Sequence, residues 1–305
     1  MVNTLKLYKP LLRATMKLAG LRPQKIEVEP GTVMNIWAST RSKKNANNGK
    51  KPAVVFVHGF VGDGILTWQF QVLALARNYT VYVPDLFFFG GSYTSDGRRM
   101  VGFQAECLAR GLAKLGVQRC TVVGFSYGTM VAFSLAELQP ELVESVVATG
   151  CPPVLTESLT RERLESLGLP TWSEFLLPDS ASALKKLLEI GSFHFPWLPK
   201  CVFRHALEVM FDCRKERTEL LEAMVIPDKD FAFPQYSQRV YLVWGENDRI
   251  FPVEVANSLK ENLGVNATLV CIEKAGHIVA LERPFVYNKC LKKILASIYK
   301  DGHTK

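Results

Sequence analysis

Short runs of β-branched and aromatic residues alternate with longer stretches of helical periodicity along most of the chain, the pattern of a largely parallel sheet covered on both faces. The runs are Ala53 to Val57, Thr80 to Pro84, Thr121 to Val123, Glu144 to Thr149, Val240 to Trp244 and Thr268 to Ile272. Ahead of them, Lys25 to Val28 and Val33 to Ala38 flank Pro30-Gly31 and predict an antiparallel pair. A polar loop from Arg41 to Lys51, rich in Asn, Lys and Gly, follows and is expected to be the least ordered internal segment. After Thr149 the strand pattern stops until about Arg239. Helical periodicity without strand alternation fills the interval, at Thr160 to Leu167, Ala183 to Ile190, Val202 to Phe211 and Thr218 to Val225. The reading is a core over residues 25–151 and 236–305, a helical insertion over 152–235, and a basic amphipathic segment over 1–24.

The pentapeptide Gly124-Phe125-Ser126-Tyr127-Gly128 sits where an apolar run ends and a helix-compatible stretch, Thr129 to Ala136, begins. A strand that turns at once into a helix holds its central residue in a strained conformation, and side chains on either side of it would clash, hence the glycines. The serine hydroxyl is lifted clear of the sheet. Serine is a poor nucleophile at neutral pH unless a base takes its proton and an acid orients that base. Of the five histidines, His303 lies in the terminal tail, His194 and His205 in the helix-rich insertion, and His58 in a strand-end turn. His277, in Ala275-Gly276-His277 just after a strand-like run, is the candidate base. Asp248, three residues beyond Gly245 at the end of another run, is the candidate acid, with Glu246 as a local competitor and Asp85 as a distant one.

Five motifs in order, Val57-His58-Gly59-Phe60, Pro84-Asp85-Leu86, the serine pentapeptide, Gly245-Glu246-Asn247-Asp248 and Gly276-His277, make the chain resemble the α/β-hydrolase superfamily, in the lidded branch that includes epoxide hydrolases, carbon–carbon bond hydrolases and small lipases. The resemblance implies an α/β-hydrolase fold, with a mostly parallel eight-stranded sheet, helices on both faces and an inserted helical cap. It implies a triad of Ser126, Asp248 and His277, and an oxyanion hole at the backbone N–H groups of Phe60 and Tyr127. His58 is expected to brace the loop that holds Phe60. The sequence departs from the family's usual glycines after Pro-Asp-Leu, since Phe87, Phe88 and Phe89 intervene before Gly90. These three, with Trp68 and with Phe193 and Trp197 of the insertion, are the expected walls of an apolar substrate pocket. A serine hydrolase of esters or thioesters is the leading expectation. A carbon–carbon bond hydrolase with the same triad and a small-molecule receptor on the same scaffold are the alternatives.

Composition narrows this further. The 305 residues, 48% of them hydrophobic, can bury a large core. A net charge of +8 does not point to nucleic acid, because most basic residues are dispersed and no recognition motif accompanies them. The concentrated stretch is N-terminal, where Lys6, Lys9, Arg13, Lys17, Arg22 and Lys25 precede the first acid, Glu27. An amphipathic helix from about Pro10 to Ala19 fits; packing on the core, peripheral contact with an anionic membrane and organellar targeting are its three readings. The seven cysteines lack C-x-x-C spacing and read as free thiols of a reducing, cytoplasmic setting. No cofactor or metal is needed for the chemistry expected.

Overall fold

The computed structural model describes residues 3–40 and 51–301. The polar loop expected over 41–51 lies outside the described residues except for Lys51. Helix α1 (Thr4–Leu18) leads into strands β1 (Leu21–Glu29), β2 (Thr32–Ser39) and β3 (Ala53–Val57), then α2 (Gly64–Leu75), β4 (Thr80–Pro84), the two-residue β5 (Tyr93–Thr94), α3 (Val101–Lys114), β6 (Cys120–Phe125), α4 (Tyr127–Leu138) and β7 (Val143–Thr149). The insertion holds β8 (Leu155–Thr156), α5 (Glu157–Leu167), α6 (Trp172–Leu176), α7 (Ala181–Gly191), α8 (Lys200–Met210), α9 (Arg214–Ala223) and β9 (Val225–Ile226). The chain then returns through β10 (Arg239–Gly245), α10 (Val253–Leu263), β11 (Ala267–Ile272), α11 (Val279–Glu282) and α12 (Pro284–Asp301).

Eight strands form one path in the order β1-β2-β4-β3-β6-β7-β10-β11, and β5 pairs with β2 off that path. β1, β2, β4 and β5 meet antiparallel at one edge, and every pairing from β4 onward is parallel. The central strand β6 is buried at every position, which is why it reads as a continuous apolar run rather than an alternating one. Two apolar layers result. One packs α3 and α4 together with the insertion, and the other packs α1, α2, α11 and α12 around Trp68, Phe56, Tyr287 and Leu291.

Three local expectations need correction. The insertion is not free of strands: β8 and β9 pair in parallel and close it at its base. Its short α6 went unseen because five residues are too few to show a helical period. The N-terminal helix starts at Thr4 rather than near Pro10, because the Asn3 side chain caps it by accepting from the Leu5 and Lys6 N–H groups. That helix packs on the molecule. Leu12 and Met16 are buried, Lys9 pairs with Asp63 at 3.6 Å, and the Thr4 N–H donates to His205 in the insertion at 3.2 Å.

This packing makes a direct prediction. Met16→Ala should cost about 2 to 4 kcal/mol in urea denaturation, as a buried side chain replaced by a void does, whereas Leu11→Ala on the outer face should change stability by less than about 0.5 kcal/mol. Equal small effects would show that α1 contributes nothing to the core.

Candidate active site

Residues from four strand ends converge above the sheet. β6 stops at Phe125 and α4 starts at Tyr127, leaving Ser126 alone to make the turn, with φ 51° and ψ −123°. That is a sparsely populated region for a residue with a side chain, and holding it costs about 1 to 3 kcal/mol. Crowding dictates the flanking glycines. A Cβ on Gly124 would come within 2.6 Å of the Gly128 oxygen and the Thr129 Cα, and one on Gly128 would run into the carbonyl oxygens of Val57 and His58. The turn is pinned from below, where Ser126 N–H donates to the Thr149 oxygen at 2.8 Å and Thr129 N–H to the Ser126 oxygen at 2.7 Å.

Asp248 follows β10 and His277 follows β11, adjacent parallel strands, so their side chains meet. His277 Nδ1 lies 2.8 Å from Asp248 Oδ2, and the other carboxylate oxygen accepts from the N–H groups of Ile250 and Phe251 at 2.9 and 3.0 Å. Asp248 is therefore held from both sides. With Nδ1 committed, Nε2 is the ring nitrogen left for chemistry. The imidazole is flanked by the rings of Phe125 and Phe251, at 5.1 and 6.0 Å between centroids. Glu282 steadies its loop, accepting from Gly276 N–H at 2.7 Å and, across the boundary to the insertion, from His194 N–H at 2.8 Å.

Ser126 and His277 line the same narrow cavity. Its other walls are Phe60, Tyr127, Met130 and Cys151 of the core, Leu155, Trp172, Leu176, Leu221 and Met224 of the insertion, and Ile250 and Phe251 after β10. No Lys, Arg, Asp or Glu is among them. Burial pushes the Cys151 thiol well above its usual range, so it does not compete as a nucleophile near neutrality. The Trp172 indole N–H is buried there with no partner among the described residues.

The structure thus brings together Ser126, Asp248, His277, Phe60 and Tyr127, and pairs His277 with Asp248 rather than with either rival acid. Glu246 is exposed. Asp85 is buried, and its carboxylate accepts from Asn35 Nδ2 and from the N–H groups of Gly64 and Gly91, all at 2.9 to 3.0 Å. Burial and the nearby Asp63 charge push its carboxyl up to about 7 against those donors. His58 is used at both ring nitrogens: Nδ1 donates to the Gly59 oxygen at 2.6 Å and Nε2 accepts from Leu86 N–H at 2.9 Å. That is a neutral imidazole clamping two loops together, and burial lowers its pKa to about 4.

The expected pocket wall is corrected on all six residues. Trp68 is fully buried beneath the sheet against Phe56, Phe125 and Tyr287. Phe87 stacks on Phe103, Phe89 stands edge-on to both His58 and Phe60, and Phe88 lies under the Arg99 guanidinium. Of the three phenylalanines, Phe89 supports the Phe60 loop from behind. Arg217 of α9 fixes them to the insertion, donating to the Phe88 oxygen at 2.9 Å with its guanidinium 4.2 Å from the Phe89 ring. Phe193 and Trp197 are exposed, Trp197 at 83%. Among the wall residues that sequence reasoning missed, Trp172, Leu176, Leu221 and Met224 lie on α6, α9 and the turn after α9. Leu221 and Met224 fall in a periodic stretch that reads as ordinary packing, and α6 is too short to show a period.

Residues 52–188 match the family model described as alpha/beta hydrolase fold. Human monoacylglycerol lipase ABHD6 is 24% identical over 274 residues, covering 84% of this chain and 79% of that protein. Human epoxide hydrolase 4 is 22% identical over 282 residues, covering 79% of this chain and 71% of that protein. Among solved structures, a membrane phospholipase A, a bacterial virulence factor, superposes with a TM-score of 0.80 at 25% identity over 96% of this chain and 92% of its own. The Rhodococcus sp. RHA1 2-hydroxy-6-oxo-6-phenylhexa-2,4-dienoate hydrolase superposes with a TM-score of 0.72 at 20% identity, over 92% and 99%.

The His58 clamp predicts a pH dependence. Its folded pKa lies below the unfolded value near 6.5, so the unfolded chain takes up the proton first and the contribution is complete above 6.5 and lost toward pH 4. Measured against His58→Gln, wild type should lose up to about 3 kcal/mol of relative stability across that window. Asp85 titrates in both proteins and cancels from the difference. Parallel pH profiles would mean that His58 is already accessible to protons in the fold.

Proposed function

The chain belongs to the α/β-hydrolase superfamily, and from that premise we propose that it is a serine hydrolase of esters or thioesters bearing an apolar acyl group. Hydrolase action on esters is the coarser part of this reading and is supported by the lipase relatives. One observation carries the finer part: a serine held at positive φ and a histidine whose Nδ1 is committed to a carboxylate face one apolar cavity.

In this reading Ser126 Oγ attacks the acyl carbon while His277 Nε2 takes its proton. Asp248 holds the ring in the tautomer that leaves Nε2 free and stabilises the imidazolium that forms. The oxygen that gains negative charge is received by the N–H groups of Phe60 and Tyr127, the latter at the positive end of α4. Collapse of this intermediate expels the alcohol or thiol, which takes the proton from His277. Water then attacks the acyl-enzyme, again through His277, and releases the acid. The insertion over 152–235 acts as the lid, supplying Trp172, Leu176, Leu221 and Met224 as the roof over the acyl chain.

The uncharged wall favours this over a carbon–carbon hydrolase acting on a dienoate, since a substrate carboxylate would call for a buried Arg or Lys. The strained serine favours turnover over a receptor, for which the strain would serve no purpose.

Ser126→Ala should abolish fluorophosphonate labelling and p-nitrophenyl ester turnover while leaving the thermal melt unchanged; undiminished labelling would remove Ser126 from the mechanism. Asp248→Asn should lose on the order of a thousandfold or more in kcat, as a triad with the wrong tautomer does. Asp85→Asn should instead lose about 1 to 3 kcal/mol of stability, because its amide sets a donor against existing donors, with turnover changed less than about tenfold. The reverse ranking would exchange the two roles. Burying each methylene gains about 0.8 kcal/mol, or nearly fourfold, so kcat/KM should climb from acetate to a medium-chain ester and then level. Met224→Ala should shift the plateau to longer chains. A steady fall from acetate onward would contradict the apolar acyl site.

A further inference from the structure

Among the described residues no helix is long and apolar enough to cross a membrane. One outer layer is nonetheless built to lie against one. α1, α2 and α12 cover the same side of the sheet, with α2 bonded to both neighbours, through Gln69 to Tyr8 of α1 and through the Phe70 oxygen, which accepts from Asn288 of α12. Through Tyr299 these helices contain no Asp or Glu, and they carry Lys6, Lys9, Arg13, Lys17, Lys289, Lys292 and Lys293. The rest of the chain is nearly balanced, with thirty Lys and Arg against twenty-nine Asp and Glu. These three helices therefore carry seven basic residues and, through Tyr299, no acid to offset them.

The same layer exposes large apolar side chains. α1 has two apolar faces. Leu12 and Met16 point to the core, while Leu7, Leu11, Ala14 and Leu18 recur at spacings of four, three and four residues on an outward stripe, with Leu18 at 90% exposure. Lys6, Arg13 and Lys17 form the strip beside it. Phe70 and Leu73 of α2 and Phe285 of α12, the last at 87% exposure, border a surface groove whose rim is Lys289, Lys292 and Lys293. Apart from Lys9, none of these basic residues has an ion-pair partner among the described residues. A face that exposes this much apolar surface and this much unanswered positive charge is costly in water and matches an interface of headgroups over acyl chains.

We propose that the α1–α2–α12 layer is a peripheral docking face for an anionic lipid surface, with the leucines of α1 and Phe70, Leu73 and Phe285 entering the headgroup boundary and the lysines meeting lipid phosphates. The leucines select lipid over a purely ionic partner such as nucleic acid, which would have no use for the stripe. The charge selects an anionic surface over a neutral one.

The test is co-sedimentation of the full chain with phosphatidylcholine vesicles with and without phosphatidylserine, at low salt. Wild type should sediment with the anionic vesicles and scarcely with the neutral ones. Leu7→Ser/Leu11→Ser/Leu18→Ser, and separately Lys289→Glu/Lys292→Glu/Lys293→Glu, should each lower the partition coefficient more than about tenfold. Both should keep the wild-type circular dichroism melt. Lys186→Glu/Lys215→Glu/Lys260→Glu, the same charge change on α7, α9 and α10, should stay within about twofold. Absence of wild-type binding, or an equal loss in the control, would overturn the proposal. So would a lipid-free dimer in sedimentation velocity that the leucine variant converts to monomer, since the face would then be a contact between copies of this chain.

Discussion

Everything at the site follows from how little room there is where β6 becomes α4. The strand, the start of the helix and the Val57-His58 backbone of the next strand pack so closely that residues 124 and 128 cannot carry a side chain, and the single residue making the turn is forced to positive φ. That geometry fixes where Ser126 points without any help from its own side-chain contacts. Because the strain is stored in the backbone, the hydroxyl stays free for chemistry rather than being spent on a cap bond.

The other groups are held by the same device, a strand end followed by a turn whose hydrogen bonds leave one productive orientation. Asp248 is oriented by the amides two and three residues ahead, and His277 by Asp248 and by the loop that Glu282 braces. Behind Phe60, His58 and Asp85 tie the loops after β3 and β4 to each other and to β2 through nine-tenths-buried polar bonds. Such a network holds the Phe60 amide in place before any substrate arrives, which is the condition for a preorganised oxyanion site.

The parts legible in the sequence were those set by short-range rules. Gly124 and Gly128 announce a crowded turn, the runs ending at Gly245 and Ile272 announce strand ends, and the order of Ser126, Asp248 and His277 follows from them. The pocket wall was not legible, because an aromatic residue has the same sequence signature whether it faces a cavity or its back wall. Phe87, Phe88 and Phe89 are turned away by stacking on Phe103, by Arg99 and by the rings of His58 and Phe60, partners that are distant in sequence. The insertion residues that line the Ser126 cavity lie on α6, α9 and the turn after it, held against the core by tertiary contacts such as that of Arg217 with the Phe88 oxygen, which leave no local trace in the sequence. The two faces of α1 were half visible. Its charge and amphipathicity could be read, but only packing separates the Leu12 and Met16 face from the Leu7 and Leu11 face.

The account rests on Ser126 and the two backbone amides acting as one unit, and a crystal structure of the chain inactivated by an alkyl fluorophosphonate tests it most directly. The phosphorus should be bonded to Ser126 Oγ, with its unesterified oxygen about 2.7 to 3.1 Å from the N–H groups of both Phe60 and Tyr127, and the alkyl chain running between Trp172 and Met224. A label on another residue, or a phosphonyl oxygen turned away from both amides, would contradict it.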